Sequence, residues 1–137
     1  MTTLVSNGTA PASIQTSKLS FTGDLEQLKD MSEAALDAAD FGIVKVDDEG
    51  VIAFYNTYES QLAGVAPEQA VGRNFFTQVA PCSNSRLFHG RFKQGIARGE
   101  LDVQFIYTFT YKMRPTLVRA RMYRDSAGHN WLLIKKR

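Results

Sequence analysis

Residues 103–112, VQFIYTFTYK, alternate two kinds of side chain. Val103, Phe105, Tyr107, Phe109 and Tyr111 take one face of an extended chain, and Gln104, Ile106, Thr108, Thr110 and Lys112 take the other. A period of two kept over such a run specifies a half-buried β-strand. Arg114-Pro115 then makes a turn into TLVRARMYR (116–124), where Val118, Ala120 and Met122 share one face and Arg119, Arg121 and Tyr123 the other. Asp125-Ser-Ala-Gly128 turns again, into HNWLLIKKR (129–137). Three strands joined by short turns form an antiparallel meander, which needs a second layer over its apolar face.

Upstream, FGIVKVD (41–47) and VIAFYN (51–56) flank the polar turn Asp48-Glu49-Gly50 and read as a hairpin. From Asn56 to Arg98 the pattern changes to short helical pieces, broken at Gly64, Pro67, Gly72 and Pro81. The last piece, 85–98, is expected to bury Leu87, Phe88, Phe92 and Ile96 together. Asp24-Leu-Glu-Gln27 resembles a capping box opening a helix that ends near Phe41-Gly42. Residues 1–23 hold nine Ser or Thr and a single charge, Lys18, and are expected to form a flexible tail. The order predicts an α+β domain over 24–137, a central antiparallel sheet with helices packed on it.

The net charge of +2 conceals a partition. Residues 24–50 carry nine acids and two bases, whereas 51–137 carry thirteen bases and five acids. Docking of one segment on the other is a simpler use of that complementarity than nucleic-acid binding, for which no groove-reading motif is visible. No apolar run approaches the ~20 residues of a bilayer-spanning helix, and the N-terminus lacks a secretory pattern. A soluble, cytoplasmic monomer with no nucleic-acid or membrane partner is expected. The one cysteine, Cys82, excludes an internal disulfide and a multi-cysteine metal site.

No P-loop, GxGxxG, HExxH, GxSxG or EF-hand pattern is present. His89 and His129 lie far apart, with no cluster of further ligands, and read as surface or rim residues. Cys82, in Val79-Ala80-Pro81-Cys82-Ser83, reads either as a small buried hydrophobe or as a nucleophile. A helical partner seven residues on, His89, would lie about 10 Å away along the axis, too far for proton transfer. Tyr55 and Glu59, spaced i, i+4, can aim a phenol and a carboxyl at one spot. Phe54, Phe75, Phe76, Phe109 and Tyr111 could enclose that spot in apolar surface, where a carboxyl would keep its proton toward neutrality.

Taken together, Tyr55-Asn56-x-x-Glu59, Gly72-Arg-Asn-Phe-Phe76, Val79-Ala-Pro-Cys82, Phe88-x-Gly90-x-Phe-Lys93 and Tyr107-Thr-Phe-x-Tyr111-x-Met113-x-Pro-Thr116 resemble the photoactive yellow protein (xanthopsin) family in order and spacing. The resemblance runs from about Phe41 to Arg137 and includes Trp131. It implies a PAS-like fold: a central antiparallel sheet, short helices on the pocket side and an N-terminal helical cap (24–40). It also implies a non-enzymatic blue-light photoreceptor with p-coumaric acid (4-hydroxycinnamic acid) joined by a thioester to Cys82. Tyr55 and Glu59 match the pair that hydrogen-bonds the phenolate, with Glu59 as proton donor after trans–cis isomerisation. Val44, Phe75, Val79, Ala80, Pro81, Phe109, Tyr111 and Met113 match pocket positions.

Two positions depart from the family pattern, Ala63 standing for a threonine that partners the tyrosine hydroxyl and Val65 for an arginine that shields the phenolic end. The acidic cap, with six acids and one base over 24–40, is expected to cover Arg119 and Arg121 and to loosen after light. The signal would pass to a separate, unidentified downstream protein. A PAS-type interaction domain without chromophore, and more remotely a cysteine hydrolase, are the alternatives.

Overall fold

The computed structural model describes residues 19–110 and 114–137. Five antiparallel strands form one sheet: β1 (Gly42–Val46), β2 (Ile52–Tyr55), β3 (Asp102–Phe109), β4 (Thr116–Arg124) and β5 (Asn130–Lys136), in the order β2-β1-β5-β4-β3. β1 and β2, β3 and β4, and β4 and β5 pair as hairpins, and β1 also pairs β5, which joins the meander to the first hairpin and leaves β2 and β3 at opposite edges. On β4, Val118, Ala120 and Met122 are buried on one face, as the alternation requires. The central strand β5 does not alternate, because Leu132 and Ile134 enter one core while Trp131 and Leu133 enter another. A strand covered on both faces reads as a continuous apolar run.

The first core lies between the sheet and the helices of residues 57–98. These are α3 (Thr57–Ala63), α4 (Pro67–Ala70) and α5 (Arg91–Arg98), with π-helical turns at Phe75–Val79 and Arg86–Gly90 and a 3-10 turn at Pro81–Ser83. The wider π turn places Phe88 and Phe92 in the core but leaves Leu87 38% exposed, so Leu87 does not share their buried side as the helical spacing predicts. Strand β3 runs to Phe109, short of the expected Lys112.

The second core lies on the opposite face, under the N-terminal segment. Phe21, Leu25, Leu28 and Leu36 pack there on Phe41, Ile43, Trp131 and Leu133. The expected single helix is two pieces, α1 (Leu25–Asp30), wound as a 3-10 helix, and α2 (Glu33–Asp37). Met31 and Ser32 are extended, and the Ser32 hydroxyl accepts from Ala35 N–H to start α2 anew. Asp24 does cap α1, but the Gln27 side chain donates to the Asp24 carbonyl rather than closing a capping box. Packing also begins before residue 24. Phe21 is buried edge-on to Phe41, so a tail reaching residue 23 is too long, and its residues 1–18 lie outside the described part.

Charge attraction between acidic helix and arginines is not what fastens this layer. Arg121 Nη1 donates to the carbonyls of Phe21 and Gly23, both at 3.1 Å, while its other nitrogens meet Asp102 on β3. Arg119 lies over the Phe21 ring, 5.2 Å from its centre. The acid that latches is Glu26, whose carboxylate accepts from Tyr123 Oη, Ser126 N–H and Lys29 Nζ. Those donors hold its pKa down at about 2, the Tyr123 hydroxyl contributing most.

Candidate functional site

Strand β2 ends at Tyr55 and helix α3 starts at Thr57, so Asn56 sits at the junction. Its buried side chain makes four hydrogen bonds. Asn56 Oδ1 accepts from Ile43 N–H and from Glu59 N–H, and Nδ2 donates to the carbonyls of Leu36 and Phe41. One residue thus caps α3, sets its first turn on β1 and ties it to the end of α2. The Asp37 carboxylate adds a second tie, accepting from Thr57 N–H at 2.7 Å and from Thr57 Oγ1 at 2.8 Å.

This anchoring drives Glu59 inward. Glu59 is 0% exposed and Tyr55 3% exposed. The Glu59 carboxyl lies over Gly42, in the space a β-carbon at residue 42 would need. Among the described residues, neither oxygen of Glu59 nor the Tyr55 hydroxyl has a hydrogen-bond partner. Burial without a compensating donor disfavours the carboxylate and raises the Glu59 pKa to about 8. The Tyr55 phenol is pushed well above its ordinary value, first by burial and then by the neighbouring Glu59 charge. Both groups are therefore neutral donors at neutral pH.

Around them the first core gathers Val44, Phe75, Val79, Ala80 and Phe109, all buried, with Cys82 half-buried at its border. Ala63 and Val65 are buried in the same cluster, so the positions of the family's threonine and arginine present only apolar surface. Ala63 offers Tyr55 no hydroxyl, in keeping with the unpaired phenol. Pro81 is exposed at the start of its 3-10 turn, and Tyr111 and Met113 lie outside the described residues. Phe54 is also not pocket aromatic surface, because it packs on the opposite face with the N-terminal segment.

The turn carrying Cys82 is fastened from β3. Tyr107 Oη donates to the Cys82 carbonyl at 2.6 Å and lies 2.8 Å from Ser85 Oγ. His89 serves the thiol in no visible way. Its ring stacks on Phe76 at 4.2 Å, and Nδ1 meets Asn84 Oδ1 at 2.9 Å. A hydrolase dyad of Cys82 and His89 is not formed. His129 is engaged elsewhere, with Asp125.

The sequence alone points to no role at the site for Asn56, Gly42, Tyr107 or Asp37. Asn56 carried a local signal, as an N-cap residue three positions before an acid. The other three act through contacts distant in the chain.

A sheet with helices on one face and an N-terminal layer on the other agrees with the PAS fold family, which matches residues 30–135. Photoactive yellow protein from Rhodothalassium salexigens is 39% identical over 115 residues, 82% of this chain and 92% of that one. The protein of that name from Halochromatium salexigens is 38% identical, with the same coverage. Among solved structures, the photoactive yellow protein domain of the sensor histidine kinase Ppr from Rhodospirillum centenum superposes with a TM-score of 0.76 at 41% identity, covering 80% of this chain and 97% of that one. The chain belongs to the photoactive yellow protein family of PAS-fold proteins. Its role is therefore that of a sensory photoreceptor domain and not of an enzyme. Among the described residues, no helix is long and apolar enough to cross a membrane.

Proposed function

We propose that this chain is a blue-light photoreceptor that carries p-coumaric acid as a thioester on Cys82 Sγ, with Tyr55 and Glu59 donating to the phenolic oxygen. The observation that carries the reading is the set of three unpartnered polar atoms, Tyr55 Oη and both oxygens of Glu59, buried in the apolar cluster that Cys82 borders. Buried donors without acceptors are costly, and an anionic oxygen between them would satisfy both with short charge-assisted bonds. When bound, the group supplies blue-light absorption and a trans–cis change of shape. Val44, Phe75, Val79 and Phe109 keep water from the donors.

Glu59 holds its proton through neutrality and can release it from a carboxyl oxygen to a base at the same spot. Release leaves a carboxylate with no donor among the described residues, in apolar surroundings. Such a charge is expensive in place, so α3 must shift or water must enter. Asn56 and Asp37 join α3 to α2, which gives the disturbance a short path to the N-terminal layer. Loosening of that layer is the signal, read by a separate protein in the cytoplasm. The receptor itself acts as a monomer.

Loading tests the reading. Incubation with an activated ester of p-coumarate should give a yellow protein with one coumaroyl group on Cys82, the thiolate displacing the ester's leaving group. Cys82→Ala should stay colourless. A colourless, unmodified wild-type chain would overturn the proposal.

A further inference from the structure

Strand β2 is an edge of the sheet, and a groove of about 500 Å³ runs along it between α2 and α4. Its floor is apolar, with Ala53, Pro67 and Val71, the last 47% exposed. Its rims are acidic: Glu33 and Asp37 stand on α2, and Glu68 stands on α4. Among the described residues, no Lys or Arg lines it and none of the three carboxylates is in an ion pair. Glu33 and Asp37 belong to the acidic stretch 24–50, whereas Glu68 is one of five acids among thirteen bases in 51–137. An apolar trough with one sign of charge along both rims selects its occupant by complementarity. It repels nucleic acid and anionic lipid. Ile52 on this edge already bonds the Arg73 carbonyl and the Gly72 N–H, so an extended segment is held by its side chains in the trough rather than by adding a full strand.

We propose that this groove docks an extended peptide segment of a partner protein, with Lys or Arg set beside a bulky apolar side chain. The apolar residue covers Val71 and Ala53, and the cations meet Glu33 and Glu68. The groove exists only while α2 is in place. Asp37 clasps Thr57, the first residue of α3, and so positions the α2 rim against the helix that carries Glu59. Docking of the segment and loosening of the N-terminal layer therefore oppose one another, by the reciprocity of linked equilibria. That coupling to light rests on the photoreceptor reading, whereas the groove itself does not.

The probe is a short synthetic peptide alternating Lys and Leu, titrated in the dark into the isotopically labelled full chain and followed by amide chemical shifts. Shifts confined to residues 33–37, 53–57 and 67–71 are expected. The counterpart with Glu in place of Lys should cause none. The double variant Glu33→Gln/Glu68→Gln alters two exposed side chains and should weaken binding about tenfold. Scattered shifts, or unchanged affinity in the double variant, would overturn the proposal. Concentration-dependent shifts at the groove without peptide would identify a second copy as the occupant and overturn it as stated. With the coumaroyl-loaded chain, affinity should fall several-fold in light, and equal affinity would remove the coupling. A chain that takes no chromophore fails the photoreceptor reading alone, because the dark titration still decides the groove.

Discussion

The carboxyl of Glu59 fills the space above Gly42 that any other residue at that position would occupy with its β-carbon. The seat of the candidate proton donor is thus made by a missing side chain on β1, one strand removed from Tyr55. Gly42→Ala would push the carboxyl aside and set a methyl 3.2 Å from the Ile134 carbonyl. A loss of about 1–3 kcal/mol is expected in urea unfolding. Combined with Glu59→Ala, the same change should cost much less, giving a coupling above about 0.5 kcal/mol. Simple additivity would mean that the two residues do not compete for this space.

The raised Glu59 pKa fixes the sign of a pH effect in the chain without chromophore. Between 4.5 and about 8 the folded chain holds a proton that the unfolded chain has lost. Stability should therefore fall as pH rises through that window, by up to about 1.4 kcal/mol per unit, and level off above it. Glu59→Gln removes the titration and should flatten the slope. Urea unfolding midpoints at several pH values measure both.

Glu26 works in the opposite sense. Tyr123, Lys29 and Ser126 hold its pKa at about 2, so its contribution to docking is complete above 4.5 and is lost as pH falls through about 2. The N-terminal latch should hold at pH 3, where an ordinary carboxylate is largely protonated. Glu26→Gln and Tyr123→Phe should each speed amide exchange in residues 25–30 at neutral pH. Unchanged protection in both variants would assign the docking to the apolar contacts alone.

Tyr107→Phe keeps the ring packed on Phe88 and removes the hydroxyl that binds the Cys82 carbonyl. A cost of about 0.5–1.5 kcal/mol is expected. The more telling readout is local: faster thiol labelling of Cys82 and faster amide exchange over residues 82–85. Equal labelling rates would mean that the turn is rigid without this bond.

How far the chain could be read in advance depended on the range of the deciding contacts. The alternation of β3 and β4 was legible because one face carries large apolar residues and the other mostly polar ones, although the N-terminal layer also covers Arg121 and Tyr123 on β4. On β5, Trp131-Leu132-Leu133-Ile134 gives no such contrast, since both faces are covered. The break at Met31-Ser32 escaped because Leu25, Leu28 and Leu36 satisfy either one long helix or two short pieces. Only docking on Trp131 and Leu133 chooses between them. Leu87 falls outside the face that regular helical spacing predicts because a π turn shifts the helical period by a fraction of a turn.

Within the site, Tyr55, Glu59 and Cys82 were evident as residue types at telling positions. That Glu59 and Tyr55 have no partner among the described residues, that Gly42 makes the seat, and that Arg121 holds the N-terminal segment by backbone carbonyls rather than by its acids were not evident. The amino-acid sequence by itself determined the meander, the position of the single thiol and the i, i+4 phenol and carboxyl, because these depend on residue type and near spacing. Tertiary structure alone decided which polar atoms are stranded and which rims face one groove. Those outcomes depend on burial and on contacts between residues tens of positions apart, where no local pattern constrains the pairing.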